Sequence, residues 1–334
     1  MATACGSLPH ADSETATALV LDILPSCPAA PSLPNRHPHE SMLGQAAAGI
    51  AGVEIAPDGS LMVAEPDSLD TGAAEACGEL PAEAFGATLT FLDAVAALPR
   101  RPAVVKLQCT GPITLGTALV AADVPPRRAF PLAAAATRKR ARALVAEAGD
   151  RLGRSTSLVL VVDEPSMGAA TLDRLAVSSE DAVDHLSGTL ASVEASAVAG
   201  VHCCAPADWG AILRAGPALL SFPLEVASTV RAADLGPFLE AGGWVAWGAI
   251  PTDGPLGPLD GGGARWLWRH LAHRWHALAD GGVDPVLLRL RAMVTPACGL
   301  ARHDETQAEL ALRLTASLGE RIAQGSFDAG QVSG

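Results

Sequence analysis

The stretch that decides the fold is LVLVVDE, at residues 158–164. Its five apolar residues are consecutive rather than alternating, and such a run indicates a strand that is buried on both faces. Two acidic residues, Asp163 and Glu164, end it. Seven further runs have a similar β-like character: ATACGS (2–7), AGVEIA (51–56), AVVKLQC (103–109), AGVHCC (199–204), ALLSFPL (218–224), WVAWGAI (244–250) and RAMVTPAC (291–298).

Helical patterns separate many of these runs, and one more follows the last of them. They cover residues 169–176, 180–197, 206–216, 232–242, 264–281 and 303–323. Strands that alternate with helices indicate a parallel sheet covered on both faces. Eight such units favour an α/β fold of the single (β/α)8 TIM-barrel type over an open sheet. We therefore predict one TIM-barrel domain over residues 1–334, with residues 2–7 and 51–56 as its first two strands.

Composition limits the kinds of molecule that the protein is expected to bind. The chain has 334 residues and a formal net charge of -13, which argues against nucleic acid as a ligand because that affinity depends on cationic side chains. No basic segment followed by a long apolar run is present, so we expect neither a signal peptide nor a membrane partner. Seven cysteines without such a signal do not indicate a disulfide framework. A cytoplasmic location is the expectation.

Three ligand-type side chains end two of the predicted strands. His202 and Cys204 are two residues apart, so a strand places them on one face and Cys203 on the other. In a barrel, the carboxyl ends of the strands meet, which brings Cys298 to the same edge. One imidazole and two thiolates suit zinc, and Glu225 would supply a fourth, displaceable oxygen. Buried free cysteines are also common in protein cores, and the pattern alone leaves that interpretation open.

Several motifs together resemble the catalytic, C-terminal domain of cobalamin-independent methionine synthase. These motifs are DEPS at residues 163–166, HCCA at 202–205 with DW at 208–209, and TPACGL at 295–300. GSLP at residues 6–9 and KLQCTGPITL at 106–115 fit the same family. The resemblance covers nearly the whole chain. It implies a member of the uroporphyrinogen decarboxylase and methionine synthase superfamily, with a single-barrel fold.

The resemblance also implies roles for particular residues. His202, Cys204 and Cys298 match the positions of the family's zinc ligands, and Glu225 lies close to the position of the fourth. Asp163 matches the catalytic residue that holds the amino group of the substrate. Further substrate contacts are implied at three residues, which are Gly6, Ser7 and Glu164.

The implied reaction is transfer of a methyl group to a thiol. A free thiol is mostly protonated at neutral pH, whereas a metal-bound thiol loses its proton and becomes the nucleophile. The resemblance makes Zn²⁺ the cofactor and a small thiol the acceptor, with homocysteine as the first candidate. The methyl donor would be a methyl-folate or a methyl-corrinoid protein, and the length of the chain, sufficient for one barrel only, puts the folate in doubt.

Two local features depart from the family. The family has a catalytic histidine after the seventh strand, whereas this chain has WGAIPTDGP at residues 247–255, with Asp253 nearby. The loop PNRHPHES at residues 34–41 stands where relatives have an acidic clamp, so it either contacts an anionic group or is polar surface. The side chains concerned are Arg36, His37, His39 and Glu40.

The missing histidine keeps two other functions open. One is a barrel that binds zinc or substrate but has lost catalysis. The other is a decarboxylase resembling uroporphyrinogen decarboxylase, which needs no metal and would leave the predicted ligand set without a use.

Overall fold

The computed structural model of the chain describes residues 1–56, 58–168, 174, 177–256 and 262–324. Six strands form one parallel sheet and lie in it in chain order. They are β3 (Val104–Thr110), β4 (Ser157–Asp163), β5 (Val198–His202), β6 (Leu219–Pro223), β7 (Trp244–Ile250) and β8 (Ala292–Pro296). The shorter β1 (Val53–Ile55) and β2 (Leu61–Val63) form a separate antiparallel pair.

Helices surround the curled parallel sheet. In the described residues they are α1 (Ser13–Ile23), α2 (Met42–Ala47), α3 (Ala82–Ala97), α4 (Pro112–Ala121), α5 (Pro126–Leu152), α6 (Ser179–Ala191), α7 (Trp209–Arg214), α8 (Ala232–Glu240), α9 (Gly262–Asp280), α10 (Pro285–Leu290) and α11 (Glu305–Gln324). Short 3-10 helices occur at Pro38–Glu40, Thr71–Gly78, Gly153–Ser155, Pro165–Met167 and Ala227–Thr229. Of the helix predicted at residues 169–176, only residue 174 is described.

The strands of the parallel sheet are buried as their apolar sequences predict. All five residues of β6 and all five of β8 are buried, and so are the five central apolar residues of β4. Helices pack on the outer face, where Phe222 of β6, Trp247 of β7 and Trp275 of α9 form a chain of ring contacts at 5.3 and 6.1 Å. Burial on both faces explains why these runs lack the alternation of a half-exposed strand.

The edges of the six-stranded sheet meet two segments that form single bridges rather than strands. Ala2 pairs with Val294 of β8, Ala29 pairs with Lys106 of β3, and Ser7 pairs with Ser32. Backbone hydrogen bonds support each contact, including the one that Thr3 N donates to Val294 O at 2.9 Å. The two segments therefore lie where a barrel would have its first two strands.

The structure corrects two of the strand predictions. Residues 51–56 do not enter the parallel sheet, because β1 pairs with β2 in a hairpin. The bridge to β3 is made by Ala29, which lies in a proline-rich stretch, and Ser32 of the same stretch pairs with Ser7. Residues 2–7 occupy the predicted place but form isolated bridges only. A closed barrel of eight strands is thus not confirmed, whereas the other six predicted strands are.

One helical stretch in the described residues has the length and composition of a membrane span. It runs from Thr71 to Ala97 with a mean hydropathy of 1.2. It combines the 3-10 helix at Thr71–Gly78 with α3, and Phe85, Phe91 and Leu92 of α3 are buried in the core. Such packing is typical of a core helix and gives weak support to a membrane span.

Candidate metal centre and substrate site

Three of the predicted ligands converge at the carboxyl end of the parallel sheet. His202 is the last residue of β5, Cys204 follows two residues later, and Cys298 lies two residues beyond β8. One ligand atom from each of the three lies within 4.8 Å of the other two. His202 is buried, Cys204 is half-buried and Cys298 is exposed, so the group has one side open to an incoming molecule.

The imidazole of His202 is oriented by the neighbouring strand. Its Nδ1 forms a hydrogen bond of 2.9 Å with the hydroxyl of Ser221, the residue that pairs with His202 in the β5–β6 register. Its Nε2 is buried and has no hydrogen-bond partner. A buried ring nitrogen without a partner costs free energy, and a metal ion would satisfy it.

The two cysteines that join His202 have linked pKa values. Interaction with Cys204, and then with the imidazole of His202, lowers the pKa of Cys298 below its ordinary value. Interaction with Cys298, followed by burial, raises the pKa of Cys204. The pair therefore holds one negative charge readily and resists a second. A divalent cation would relieve the repulsion between two thiolates, which is the chemistry of a thiolate-rich metal site.

The other cysteines do not join this group. Cys203 is buried and its thiol donates to the carbonyl of Ala205, so it faces away from Cys204 as the strand pattern predicted. Burial raises the pKa of Cys203 to about 11. All seven cysteines are free thiols.

Glu225 is not one of the three residues that the structure brings together. It lies two residues after β6, and its side chain is exposed. Its role as the fourth ligand stays a prediction.

Asp163 ends β4 and pairs with His202 across the β4–β5 register. It lines a small cavity of about 10 Å³ together with His202 and Ser221, which is room for about one water molecule. Burial raises the pKa of this carboxyl to about 6, against the opposing effects of His202 and Lys106. The group is therefore mostly ionised at neutral pH and able to accept hydrogen bonds from an ammonium group.

The carboxylate of Glu164 is bonded to the start of α4 rather than exposed to a substrate. Glu164 is fully buried, and its carboxylate accepts hydrogen bonds from Ile113 N, Thr114 N and the Thr114 hydroxyl at 2.8, 2.8 and 2.6 Å. These donors lie at the first turn of α4, where an acceptor satisfies unpaired amides. A side chain at Gly111 would collide with Glu164. A direct contact between Glu164 and substrate stays a prediction.

The turn at Gly6 and Ser7 lies against the loop that carries Cys298. Ser7 O accepts a hydrogen bond of 2.9 Å from Leu300 N, and the Ser7 hydroxyl lies so close to Gly299 that a side chain there would collide with it. Gly6 has a φ of +123°, and a Cβ on it would collide with Gln108. This position therefore requires glycine. The structure thus brings Gly6 and Ser7 next to the loop that carries Cys298 of the candidate metal group.

The loop at residues 34–41 is built on an internal ion pair. Glu40 is fully buried and accepts from Arg36 Nε at 2.8 Å, from Leu33 N at 2.6 Å and from Ala87 N at 2.9 Å. His37 and His39 stack edge to face, with ring centroids 5.0 Å apart. The Arg36–Glu40 pair thus has a role within the fold, and contact with an anionic group stays a prediction.

A histidine does lie near the end of β7, but it comes from another segment. His303, in the loop after β8, places its Nε2 3.2 Å from Thr252 O. Asp253, one residue further on, is exposed. The sequence after β7 gave no sign of the contact between His303 and Thr252, because these two residues are 51 positions apart.

Two polar residues of the site were not predicted. Ser221 sits inside the apolar run at 218–224, and Lys106 inside the run at 103–109. Both are buried and line the same cavity as Asp163 and His202. The signal that could have revealed them is a lone polar residue within a strand that is otherwise apolar, since such a residue needs a partner inside the fold.

Comparisons with known proteins identify the architecture. No protein-family model matches the sequence, and no curated protein matches it. Among solved structures, the chain is similar to a methyltransferase from Methanosarcina mazei, with a TM-score of 0.54 and 15% identity over 96% of this chain and 93% of that one. It is also similar to a B12-independent methionine synthase from Shewanella sp. W3-18-1, in complex with selenomethionine, with a TM-score of 0.56 and 14% identity.

The match to the methionine synthase covers 96% of this chain and 97% of that one. The two chains are therefore nearly the same length. At this level of identity the likeness establishes a shared fold, and it agrees with the family that the sequence motifs resemble.

Proposed function

We propose that the protein is a zinc-dependent methyltransferase that activates a thiol, with homocysteine as the acceptor. The observation that carries the proposal is the convergence of His202, Cys204 and Cys298 from two distant strands, with ligand atoms within 4.8 Å of one another. One imidazole and two thiolates form a donor set that suits zinc and leaves a position for a substrate. The two similar structures, a methyltransferase and a methionine synthase, support the same class of reaction.

The residues present fit a zinc ion. The unpartnered Nε2 of His202 would supply one ligand, and the sulfurs of Cys204 and Cys298, within 4.8 Å of it, would supply two more. When bound, zinc would lower the pKa of the acceptor thiol and keep its sulfur nucleophilic at neutral pH. Glu225 is proposed as the fourth, displaceable ligand.

Neighbouring side chains would hold the rest of the acceptor. Asp163, ionised at neutral pH and close to His202, would accept hydrogen bonds from the substrate ammonium. Gly6 and Ser7 would face the substrate carboxylate, because their turn packs on the Cys298 loop. Binding both ends of the amino acid fixes the direction of its sulfur, and such positioning contributes much of the rate of a bimolecular transfer.

The methyl donor is proposed to be either a methyl-folate or a methyl-corrinoid protein. The length of the chain, which suffices for one barrel, weighs against the folate. A transfer assay with both donors is therefore required.

The proposal is tested by metal content and methyl transfer in the purified protein. We expect close to one zinc per chain by mass spectrometry, and formation of methionine from homocysteine with methylcobalamin or methyl-folate as the donor. Zinc without transfer to any thiol would favour the binding barrel that has lost catalysis. A folded protein that neither contains nor takes up zinc would contradict the proposal.

Replacing Ser221 by alanine should weaken zinc binding without removing a ligand. The hydroxyl of Ser221 fixes the orientation of the His202 ring, and loss of such a partner typically costs 10–100-fold in metal affinity. Competition with a chromogenic chelator measures the change. The matched control is Thr156→Val, which removes a buried hydroxyl bonded to Pro102 O at the opposite end of the sheet and should keep full affinity. Equal affinities for Ser221→Ala and wild type would show that Ser221 does not orient the imidazole.

A further inference from the structure

A second small cavity lies outside the candidate metal centre, between β3 and the helices that cover it. Its volume is about 10 Å³, which is room for about one water molecule. Its lining includes Gln45 of α2, Phe85 of α3, Cys109 of β3, and Thr137 and Arg140 of α5. None of the described residues that line it is acidic. The cavity therefore contains a cationic side chain and no carboxylate.

Arg140 is a buried cation whose contacts are all with uncharged groups. It is 3% exposed, and a guanidinium stays protonated even inside a protein. Its two terminal nitrogens donate to Glu79 O and Ala48 O, and its Cζ lies 4.7 Å from the centre of the Phe85 ring. None of the ion pairs formed by the described residues includes it.

The groups around Arg140 do not supply a full counter-charge. Its electrostatic interactions are with the thiols of Cys77 and Cys109, and burial raises the pKa of both thiols, so both are neutral at physiological pH. The two carbonyls that accept from Arg140 end a 3-10 helix and the six-residue α2, and a helix end carries only a fraction of a unit charge. The positive charge of the guanidinium is therefore largely unbalanced.

Two hydrogen-bonding atoms of the lining residues have no partner among the described residues. They are Nε of Arg140 and the hydroxyl oxygen of Thr137, and both are buried. The two residues are three positions apart on α5, so they lie on the same face of the helix. The Nε–H group can only donate, and the hydroxyl can donate as well. Buried donors are normally satisfied, which indicates that an acceptor occupies the cavity.

We infer that this cavity binds a small monovalent anion, with chloride as the physiological ion, held by the guanidinium of Arg140 and the hydroxyl of Thr137. A water molecule would accept the same two hydrogen bonds but would leave the positive charge unbalanced. Chloride is only slightly larger than water and accepts hydrogen bonds without donating any, whereas carboxylates and phosphate are too large for the cavity. The inference is independent of the proposed function.

The first test locates the anion in crystals. Crystals of the wild type are grown with sodium bromide in place of chloride, and bromide is identified by its anomalous diffraction. We expect a bromide within hydrogen-bonding distance of Nε of Arg140 and the hydroxyl of Thr137. An ordered water at that position, without bromide, would overturn the inference.

The second test measures binding in solution through thermal stability. An anion that binds only the folded protein raises its Tm, so the Tm of the wild type should rise with chloride when gluconate, which is too large for the cavity, keeps the ionic strength constant. Thr137→Val removes one hydrogen bond to the anion and should bind chloride about tenfold more weakly or worse. The matched control is Thr315→Val, which removes a buried hydroxyl of α11 bonded to Ala311 O and should keep the wild-type response.

Arg140→Met removes the charge and should abolish the dependence of Tm on chloride. If that variant does not fold, Thr137→Val, which deletes only a hydroxyl, decides the test. Equal responses of Thr137→Val and wild type would mean that chloride acts elsewhere on the protein, which overturns the inference. Bromide in the crystal without any effect of chloride in solution would show binding at crystal concentration only, and would overturn it too.

Discussion

Cys298→Ser should be purified without bound zinc, whereas Cys203→Ser should retain it. Cys298 is one of three proposed ligands from two distant strands, and its ligand atom lies within 4.8 Å of those of His202 and Cys204. Apparent binding free energies of structural zinc sites are about 10–16 kcal/mol, or about 3 kcal/mol for each of four ligands. Loss of one thiolate should therefore weaken binding by about a hundredfold or more. Mass spectrometry of metal content and chelator competition measure the effect.

Cys203 provides a closely matched control, because it precedes Cys204 and points the other way. It is buried, and a serine hydroxyl there would keep the hydrogen bond to Ala205 O. Near-normal thermal stability of both variants would separate loss of metal from loss of fold. Retention of zinc in Cys298→Ser, or its equal loss from Cys203→Ser, would contradict the assignment of ligands.

Glu164→Ala should destabilise the fold by about 3–5 kcal/mol. The carboxylate of Glu164 is fully buried and satisfies three donors at the start of α4. Its removal leaves two backbone amides and a hydroxyl without acceptors in the interior. Chemical denaturation at constant zinc measures the free energy of unfolding. Thr114→Val removes one of the three bonds and should cost about 1–2 kcal/mol, and a similar small loss in Glu164→Ala would contradict the capping role.

The same carboxyl predicts a dependence of stability on pH. Burial raises the pKa of Glu164 to about 7 from an ordinary value of 4.5. Between these values the folded protein binds more protons at this group than the unfolded chain does, so its contribution is complete below about pH 4.5 and is lost as the pH rises to about 7. The unfolding free energy of the wild type should therefore fall more steeply over this range than that of Glu164→Gln. Parallel slopes would contradict the raised pKa.

The parts of the fold that sequence predicts well are those where a single physical constraint dominates. The runs at β3 to β8 are apolar because both faces of the sheet are covered, and all six were identified from that property. Residues 51–56 have the same local character, yet β1 pairs with β2, since a short apolar run does not specify its partner. The bridging residues Ala29 and Ser32 lie among prolines, which remove backbone donors and weaken the signal of a strand.

In the candidate site, too, some residues could be predicted from the sequence and others could not. His202 and Cys204 could be placed on one face from their spacing, and the barrel geometry brought Cys298 to the same edge. Ser221 and Lys106 were missed because their importance depends on cross-strand register and on a shared cavity. The contact between His303 and Thr252 joins two loops, and a single sequence carries little information about the conformations of loops relative to one another.

Ala2 and Val294 pair in the folded protein, although one is synthesised near the start of translation and the other near its end. During translation at about 5–20 residues per second, tens of seconds separate the emergence of the first of these residues from that of the second. Throughout that interval the segment around Ala2 lacks the strand with which it pairs, and an unpaired backbone edge is a template for association with other chains. The candidate metal group of His202, Cys204 and Cys298 is completed just as late, since Cys298 follows β8. The pairing of Ala2 with Val294 and the completion of the candidate metal group are thus both events of the final stage of synthesis.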